Sequence, residues 1–163
     1  MLLKLKNKDT LIVDDFKFKC SIGKKGTRKL KIEGDFCTPK GIFTFGNVYY
    51  RPDRIIKPQS KLKIYKITKN IGWCDDPNDK SYNKQIKIPA KKNYEKLYRR
   101  DKIYDMLVVI NYNTKKPERF KGSAIFLHLT NNYKKTRGCI AVKENDLYII
   151  LKLINKKSKI KIS

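Results

Sequence analysis

The sequence predicts a mainly β fold, a sandwich or a barrel, with one or two helices. Three observations carry this prediction. Apolar and charged residues alternate through the first third of the chain, which is the period of a strand with one wet face. Two later runs, Met106–Ile110 and 124–129, are almost continuously apolar, as expected of strands buried on both faces. Only the segment 144–154 carries a sustained helical period.

Taken in order, Leu3 and Leu5 flank Lys4, and Phe16, Phe18, Cys20 and Ile22 alternate with Lys17, Lys19 and Ser21, giving the first strands. Gly23 and Gly26 mark a turn, Leu30 and Ile32 resume the alternation, and a loop is expected over 34–41. Ile42, Phe43 and Phe45, then Leu62, Ile64, Tyr65 and Ile67, predict two more strands around a surface loop at 52–58. The segment 72–89, rich in Asp, Asn, Ser and Pro, reads as an irregular loop. Tyr94, Leu97 and Tyr98 are spaced i, i+3, i+4, which predicts a short helix over 93–100. Residues 139–142 form a strand candidate leading into the helix at 144–154, where Leu147, Ile150, Leu151 and Ile154 share a face and acids stand at the start. Ile160 and Ile162, between lysines, are expected to close the chain as an edge strand.

A chain of 163 residues with 40% apolar content can build one substantial core, so one domain over 1–163 is expected. The formal charge of +25 suggests a polyanionic partner. A dedicated nucleic-acid role is not expected: lysine far outnumbers arginine, the basic residues are scattered rather than striped, and Lys, Ile, Asn and Tyr are in excess together, as A- and T-rich codons produce. No apolar run approaches the roughly 18 to 20 residues of a membrane span. Lys4, Lys6 and Lys8 interrupt the only apolar start, so no secretory core is legible.

Cys20, Cys37, Cys74 and Cys139 are widely spaced, and His128 is the only histidine. This excludes the close ligand pairs of a zinc site, and neither a metal nor a cofactor is expected. A disulfide framework is unnecessary for a domain of this size. Cys37 and Cys74 are read as structural, with a regulatory disulfide to Cys139 open to either.

Chemistry converges on Gly138-Cys139 and His128. A cysteine nucleophile needs a base to form thiolate and donors to hold the oxyanion made when it attacks a carbonyl. Glycine before the nucleophile lets a substrate approach the backbone, so the N–H groups of Gly138 and Cys139 are oxyanion candidates. His128 ends an apolar run, at a strand terminus where a side chain can face a cleft from a fixed backbone, and its ordinary pKa suits it to take and return the thiol proton.

The segment from His128 through Thr136-Arg137-Gly138-Cys139 resembles the catalytic signature of the YkuD-type L,D-transpeptidases, a histidine followed by a Ser/Thr-His-Gly-Cys box. Gly34-Asp35, Thr38-Pro39, Gly41 and Phe43 are similar to the family's early G-D-x-x-T-P-x-G-x-F segment, and Gly72-Trp73-Cys74-Asp75-Asp76-Pro77 with Tyr82-Asn83 resembles a compact bacterial subgroup. The resemblance implies a YkuD-like β-sandwich or barrel. It also implies a thioester on Cys139, with His128 as base then acid, and transfer of a peptidoglycan stem peptide to an amine, as in cell wall crosslinking. Arg137 replaces the box histidine, which leaves proton traffic to His128 and makes Arg137 a support for thiolate or oxyanion. The interval from His128 to Cys139 is shorter than in common members, and Ala141 stands where many have arginine.

Trp73, Asp75, Asp76 and Thr136 are candidate substrate contacts; with Asp79, the acids could take an amine, could bind calcium loosely, or could simply cap backbone N–H groups. The competing readings are an L,D-carboxypeptidase or amidase using the same Cys/His pair, and a binding module without catalysis. The expected partner is the peptidoglycan stem peptide and the expected state a monomer. The substrate places the protein in the periplasm or cell envelope; without export, the cytoplasm.

Overall fold

The computed structural model describes all 163 residues. Its strands are β1 (Leu2–Lys6), β2 (Thr10–Val13), β3 (Phe16–Ser21), β4 (Thr27–Arg28), β5 (Thr38–Pro39), β6 (Gly41–Tyr50), β7 (Ile64–Lys66), β8 (Ile71–Cys74), β9 (Gln85–Lys87), β10 (Tyr94–Lys96), β11 (Met106–Ile110), β12 (Phe126–Leu129), β13 (Ile140–Val142) and β14 (Lys159–Ile162), with one helix, α1 (Glu144–Leu153). Eight strands close a barrel in the order β11-β12-β13-β3-β2-β1-β14-β6, and β6 pairs back onto β11. The long strand β6 makes closure possible: its first half pairs with β14, and its second half with β11 and the added strand β7. The chain is therefore mainly β with a YkuD-like barrel.

Alternation sorts the residues between two cores. Leu3, Leu5, Leu11, Val13, Leu127 and Ile140 point into the barrel, where Leu147, Ile150, Leu151 and Ile154 of the helical segment meet them. Glu144 and Asp146 in the first turn of α1 and Lys152 in the last oppose the helix dipole favourably. Each of these fully buried aliphatic side chains contributes about 1.5–3 kcal/mol. On the outer face of β11 and β12, Leu107, Val109 and Phe126 form a second cluster with Tyr49, Trp73 and Leu97, beneath a three-stranded sheet ordered β10-β8-β9. No helix is long and apolar enough to cross a membrane.

Four expectations are corrected. Residues 93–100 hold no helix: Tyr94–Lys96 is β10, which pairs antiparallel with β8, because backbone pairing to the small sheet outweighs a weak helical spacing. The 72–89 segment is less irregular than expected, since Ile71–Cys74 and Gln85–Lys87 pair as strands at its two ends. β14 is not an edge; it sits between β1 and β6, and its lysines face outward from a closed wall. The alternation at Leu30 and Ile32 is inverted: Leu30 is 74% and Ile32 50% exposed, and Lys31 between them is 3% exposed.

Candidate active site

β12 and β13 run parallel, with Leu127 beside Ile140 and His128 beside Ala141. This register brings Cys139, the residue before β13, alongside Phe126, whose N–H donates to Cys139 Sγ at 3.3 Å. Since Leu127, Leu129, Ile140 and Val142 face the barrel interior, alternation turns Phe126, His128, Cys139 and Ala141 to the outer face, under the small sheet. The two residues singled out from sequence thus share one face of adjacent strands. Both are buried.

The sulfur is held by backbone. Its S–H donates to the Ala124 carbonyl at 3.2 Å. Ala124 sits at φ +52°, a left-handed conformation costly for alanine, and its N–H donates to Asn83 Oδ1 at 3.0 Å. Asn83 also receives the Trp73 indole N–H at 2.9 Å and donates through Nδ2 to the carbonyls of Tyr112 and Asn113. This buried side chain has every partner it needs, and it aims the carbonyl that orients the thiol.

Burial pushes the Cys139 thiol up to about 12; the Glu95 charge pushes the same way, and the Phe126 N–H, the Lys31 ammonium and the Tyr104 hydroxyl pull against it. Burial likewise holds His128 down to about 4, opposed chiefly by the Leu129 carbonyl. At neutral pH both groups are uncharged. Imidazole Nδ1 lies 2.8 Å from the Leu129 carbonyl oxygen, so Nδ1 carries the proton and Nε2 keeps the basic lone pair. The Tyr104 ring packs edge-on against His128 at 5.2 Å and against Phe126 at 5.7 Å, fixing the imidazole plane.

Thr136 acts on its own chain: Oγ1 donates to the Cys139 carbonyl at 2.6 Å and accepts the Gly138 N–H at 3.1 Å. Thr136 thereby clamps the cysteine loop, and the Gly138 amide, expected to serve an oxyanion, is held by Thr136 Oγ1 in this structure. Gly138 has φ +147°, and a Cβ there would stand 2.9 Å from the Cys37 carbonyl oxygen, so glycine is required at this approach. Thr38 Oγ1 accepts the Gly23 N–H at 2.9 Å, and Gly23 bridges to Thr136, which ties the Thr38-Pro39 wall to the cysteine loop.

Arg137 is exposed, with its guanidinium 5.6 Å from the Phe36 ring centre. The cation whose field reaches the sulfur is Lys31. Its ammonium is 2.7 Å from Asp35 Oδ1, and Asp35 also accepts the N–H groups of Cys37 and Ile32. Burying Lys31 is what turns Leu30 and Ile32 outward. Sequence reasoning missed Lys31; its signal was the Asp35 carboxylate four positions on.

Trp73 is packed into the second core, edge-on to Phe126 at 5.2 Å, with its only polar atom satisfied. It supports the floor of the site rather than lining a free surface. Asp76 and Asp79 accept the N–H groups of Asn78 and Ser81, and Asp79 pairs with Lys92 at 2.7 Å, the capping role. Asp75 differs: its Oδ1 is buried without a hydrogen-bond partner, and burial followed by the Glu33 charge raises its pKa. All four cysteines are free and buried. No three His, Cys, Asp or Glu side chains converge as a metal site.

A recess of about 290 Å³ adjoins this centre through Lys31 and is rimmed by Lys29, Lys121, Tyr112, Asn113 and Glu118. The larger recess, about 470 Å³, lies between residues 54–59 and the helix residues Glu144, Tyr148 and Lys152, and shares no residue with the Cys139 site. Chemistry rather than size marks the centre.

The family model for the YkuD L,D-transpeptidase catalytic domain matches residues 2–162. No curated protein matches the chain.

Proposed function

The chain belongs to the YkuD family of L,D-transpeptidase catalytic domains, a cysteine-dependent enzyme family tied to the cell wall, and from that premise we propose that it is a peptidoglycan L,D-transpeptidase with Cys139 as nucleophile and His128 as base. The observation that supports this most is the shared outer face of β12 and β13, which carries a thiol held by two backbone groups and, two positions further along the adjacent strand, an imidazole whose Nδ1 is held by the Leu129 carbonyl.

Burial raises the Cys139 thiol and lowers the His128 imidazole, so both shifts oppose a thiolate–imidazolium pair in the resting site. The proton therefore leaves sulfur as the substrate carbonyl is attacked, not before. Cys139 Sγ adds to the carbonyl between the L-centre and the terminal D-Ala of a stem peptide while His128 Nε2 takes the thiol proton. The oxyanion is met by the Cys139 amide and by the Gly138 amide once Thr136 Oγ1 yields it. Collapse breaks the C–N bond, His128 returns the proton to the leaving D-Ala amine, and a thioester remains. An acceptor amine then attacks the thioester, gives its proton to His128 and restores the thiol.

The lysine-rimmed recess beside Lys31 suits the carboxylates of stem peptides. That substrate lies outside the cytoplasmic membrane, so we place the protein's work at the cell envelope. Digesting peptidoglycan and profiling its muropeptides before and after incubation with the purified protein tests the assignment. New crosslinked dimers are expected; shortened monomers alone assign an L,D-carboxypeptidase instead; an unchanged profile contradicts both.

A further inference from the structure

Large apolar side chains that stand exposed singly are ordinary; gathered in one place and rimmed by charge, they mark a surface that has a partner. Such a place lies at the rim of the recess beside Lys31. Leu30 is 74%, Phe120 53% and Ile32 50% exposed. Several contacts bring the segments that carry them together. The Glu33 N–H donates to the Phe120 carbonyl at 2.8 Å, and Leu30 and Lys121 line the same recess. The Lys31 stem runs so close to Gly122 that a Cβ there would meet its Cε at 2.8 Å. The strip 29–33 therefore lies alongside the loop 118–122.

The fold holds these apolar side chains outward. Lys31 is buried and paired with Asp35, whose Oδ2 also accepts the Ile32 N–H at 2.9 Å, so turning Leu30 or Ile32 inward would break a buried ion pair. Across from them, Asn113 Nδ2 donates to the carbonyls of Glu118 and Gly122, each at 3.0 Å, and Asn113 Oδ1 accepts the Glu118 N–H at 2.8 Å. Within the loop pinned by that one side chain, Phe120 takes φ +64°, a left-handed conformation that is an outlier for so bulky a residue. A strained backbone thus presents an aromatic ring to solvent.

Around the apolar tip stand Lys29, Arg119 and Lys121, all exposed and none in an ion pair, with one exposed carboxylate, Glu118, among them. An apolar tip with a cationic rim has the chemistry of an interfacial anchor. Its apolar groups enter the boundary between lipid headgroups and acyl chains, while ammonium and guanidinium groups stay with the phosphates. A second copy of the chain is a poor occupant, since it brings the same unpaired cations and another +25 of charge to the contact. We propose that the tip formed by Leu30, Ile32 and Phe120 docks the protein on the surface of a lipid bilayer with anionic headgroups.

The docking surface goes beyond acyl transfer and does not depend on it, but its position has a consequence for the site. Lys31 Nζ lies 3.6 Å from where a Cβ on Gly138 would stand, and the loop 118–122 continues through Ser123 to Ala124, whose carbonyl holds the thiol. A bilayer seated on the tip lies beside the Cys139 centre, where it favours a substrate that is itself tethered to the membrane.

The test is co-sedimentation of the purified protein with vesicles of phosphatidylcholine alone, or of phosphatidylcholine with about one-third phosphatidylglycerol, at about 0.1 M salt. Wild type is expected to sediment with the anionic vesicles and to stay in the supernatant with the neutral ones. Leu30→Ser, Ile32→Ser and Phe120→Ser combined leave the net charge unchanged and should weaken binding about tenfold or more. Lys29→Gln, Arg119→Gln and Lys121→Gln combined should weaken it on the order of a hundredfold. The control is Ile56→Ser with Lys57→Gln and Lys152→Gln, at the larger recess, which removes the most exposed apolar side chain of the chain with two cations. It should cost less than about threefold, because those charges act on a bilayer at the tip only through screened solvent. Phe120→Trp keeps the tip apolar and serves if the serine variant does not fold. Its emission should shift to the blue and be quenched by brominated acyl chains, over a constant background from Trp73 in the core.

A folded wild type that ignores anionic vesicles overturns the proposal. So does a folded serine variant that binds as wild type does, which is the behaviour of a general polycation. An Ile56 control that costs as much as the tip variants, or a Phe120→Trp emission that vesicles leave unmoved, overturns it as well. The vesicles hold no peptidoglycan, and Cys139→Ala should bind them as wild type does. A null muropeptide profile therefore removes the transpeptidase reading and leaves the docking surface standing.

Discussion

His128 should make the fold sensitive to acid in a pH window where few other groups act. Unfolded, its imidazole titrates at the ordinary value of 6.5; folded, burial holds it near 4. Between those values the unfolded chain binds a proton that the native state refuses, so stability is fully present above about 6.5 and is lost as pH falls toward 4. The gap of about 2.5 units, at about 1.4 kcal/mol per unit, sets a limit near 3 kcal/mol, of which about 2.5 is spent by pH 4.5. Asp35, Asp53, Asp79 and Asp101 are held below their ordinary values and so act at lower pH, while Asp75, Glu95 and Asp146 are raised and oppose the loss. These acids are common to wild type and His128→Gln, so the comparison isolates the histidine. Urea unfolding at about pH 7, 6, 5 and 4.5 is the assay. The wild type should lose about 2.5 kcal/mol more than the variant across that range. Parallel curves for the two proteins refute the claim that His128 is buried and neutral.

Three further perturbations follow from the geometry of the site. Lys31→Met strands the Asp35 carboxylate with only backbone donors and the distant Arg28 guanidinium, so urea unfolding should show a loss of about 3 kcal/mol, and Cys139 alkylation should slow because the nearest cation is gone. Gly138→Ala forces a Cβ to 2.9 Å from the Cys37 carbonyl at a positive φ; a cost of about 1–3 kcal/mol in thermal melts and loss of acyl transfer are expected. Asn83→Leu leaves the Trp73 indole and the Ala124 amide without their acceptor, which should cost about 3 kcal/mol or more and quench the environment-sensitive fluorescence difference of Trp73 between native and unfolded states.

Where side chains alternate against one wall, the sequence was readable. β1, β3 and α1 follow from periodicity because burial on a barrel wall or in its interior demands that period, and β11 and β12 follow from unbroken apolar runs because both of their faces are buried. The small covering sheet was not legible. Its strands are three or four residues long, and Tyr94, Leu97 and Tyr98 happen to fit a helical spacing that pairing with β8 overrides. β14 shows a different limit: lysines alternating with isoleucines suit the outside of a closed barrel as well as an exposed edge, and only closure through β6 decides between them.

At the site, Cys139 and His128 could be singled out because glycine before a cysteine and a lone histidine at a strand end are local signals. Lys31, Asn83, Glu95 and Tyr104 reach the same place from four separate segments, and their roles exist only once the small sheet folds over β12. Arg137 was expected beside the thiol from its neighbouring position, but the turn at Gly138 sends its side chain to solvent over Phe36. Sequence adjacency is a poor guide to side-chain proximity where the backbone has positive φ.

The central claim is that Cys139 forms an acyl-enzyme. A carbapenem offers a strained amide that a thiolate opens to a stable thioester without loss of atoms, so intact-mass spectrometry after incubation reads the step directly. The account predicts a gain of one whole carbapenem mass, mapped by digestion to the peptide containing Cys139, abolished in a folded Cys139→Ala variant and strongly slowed in His128→Gln. A folded wild-type protein that gains no mass, or that gains it on Cys20, Cys37 or Cys74 instead, contradicts it.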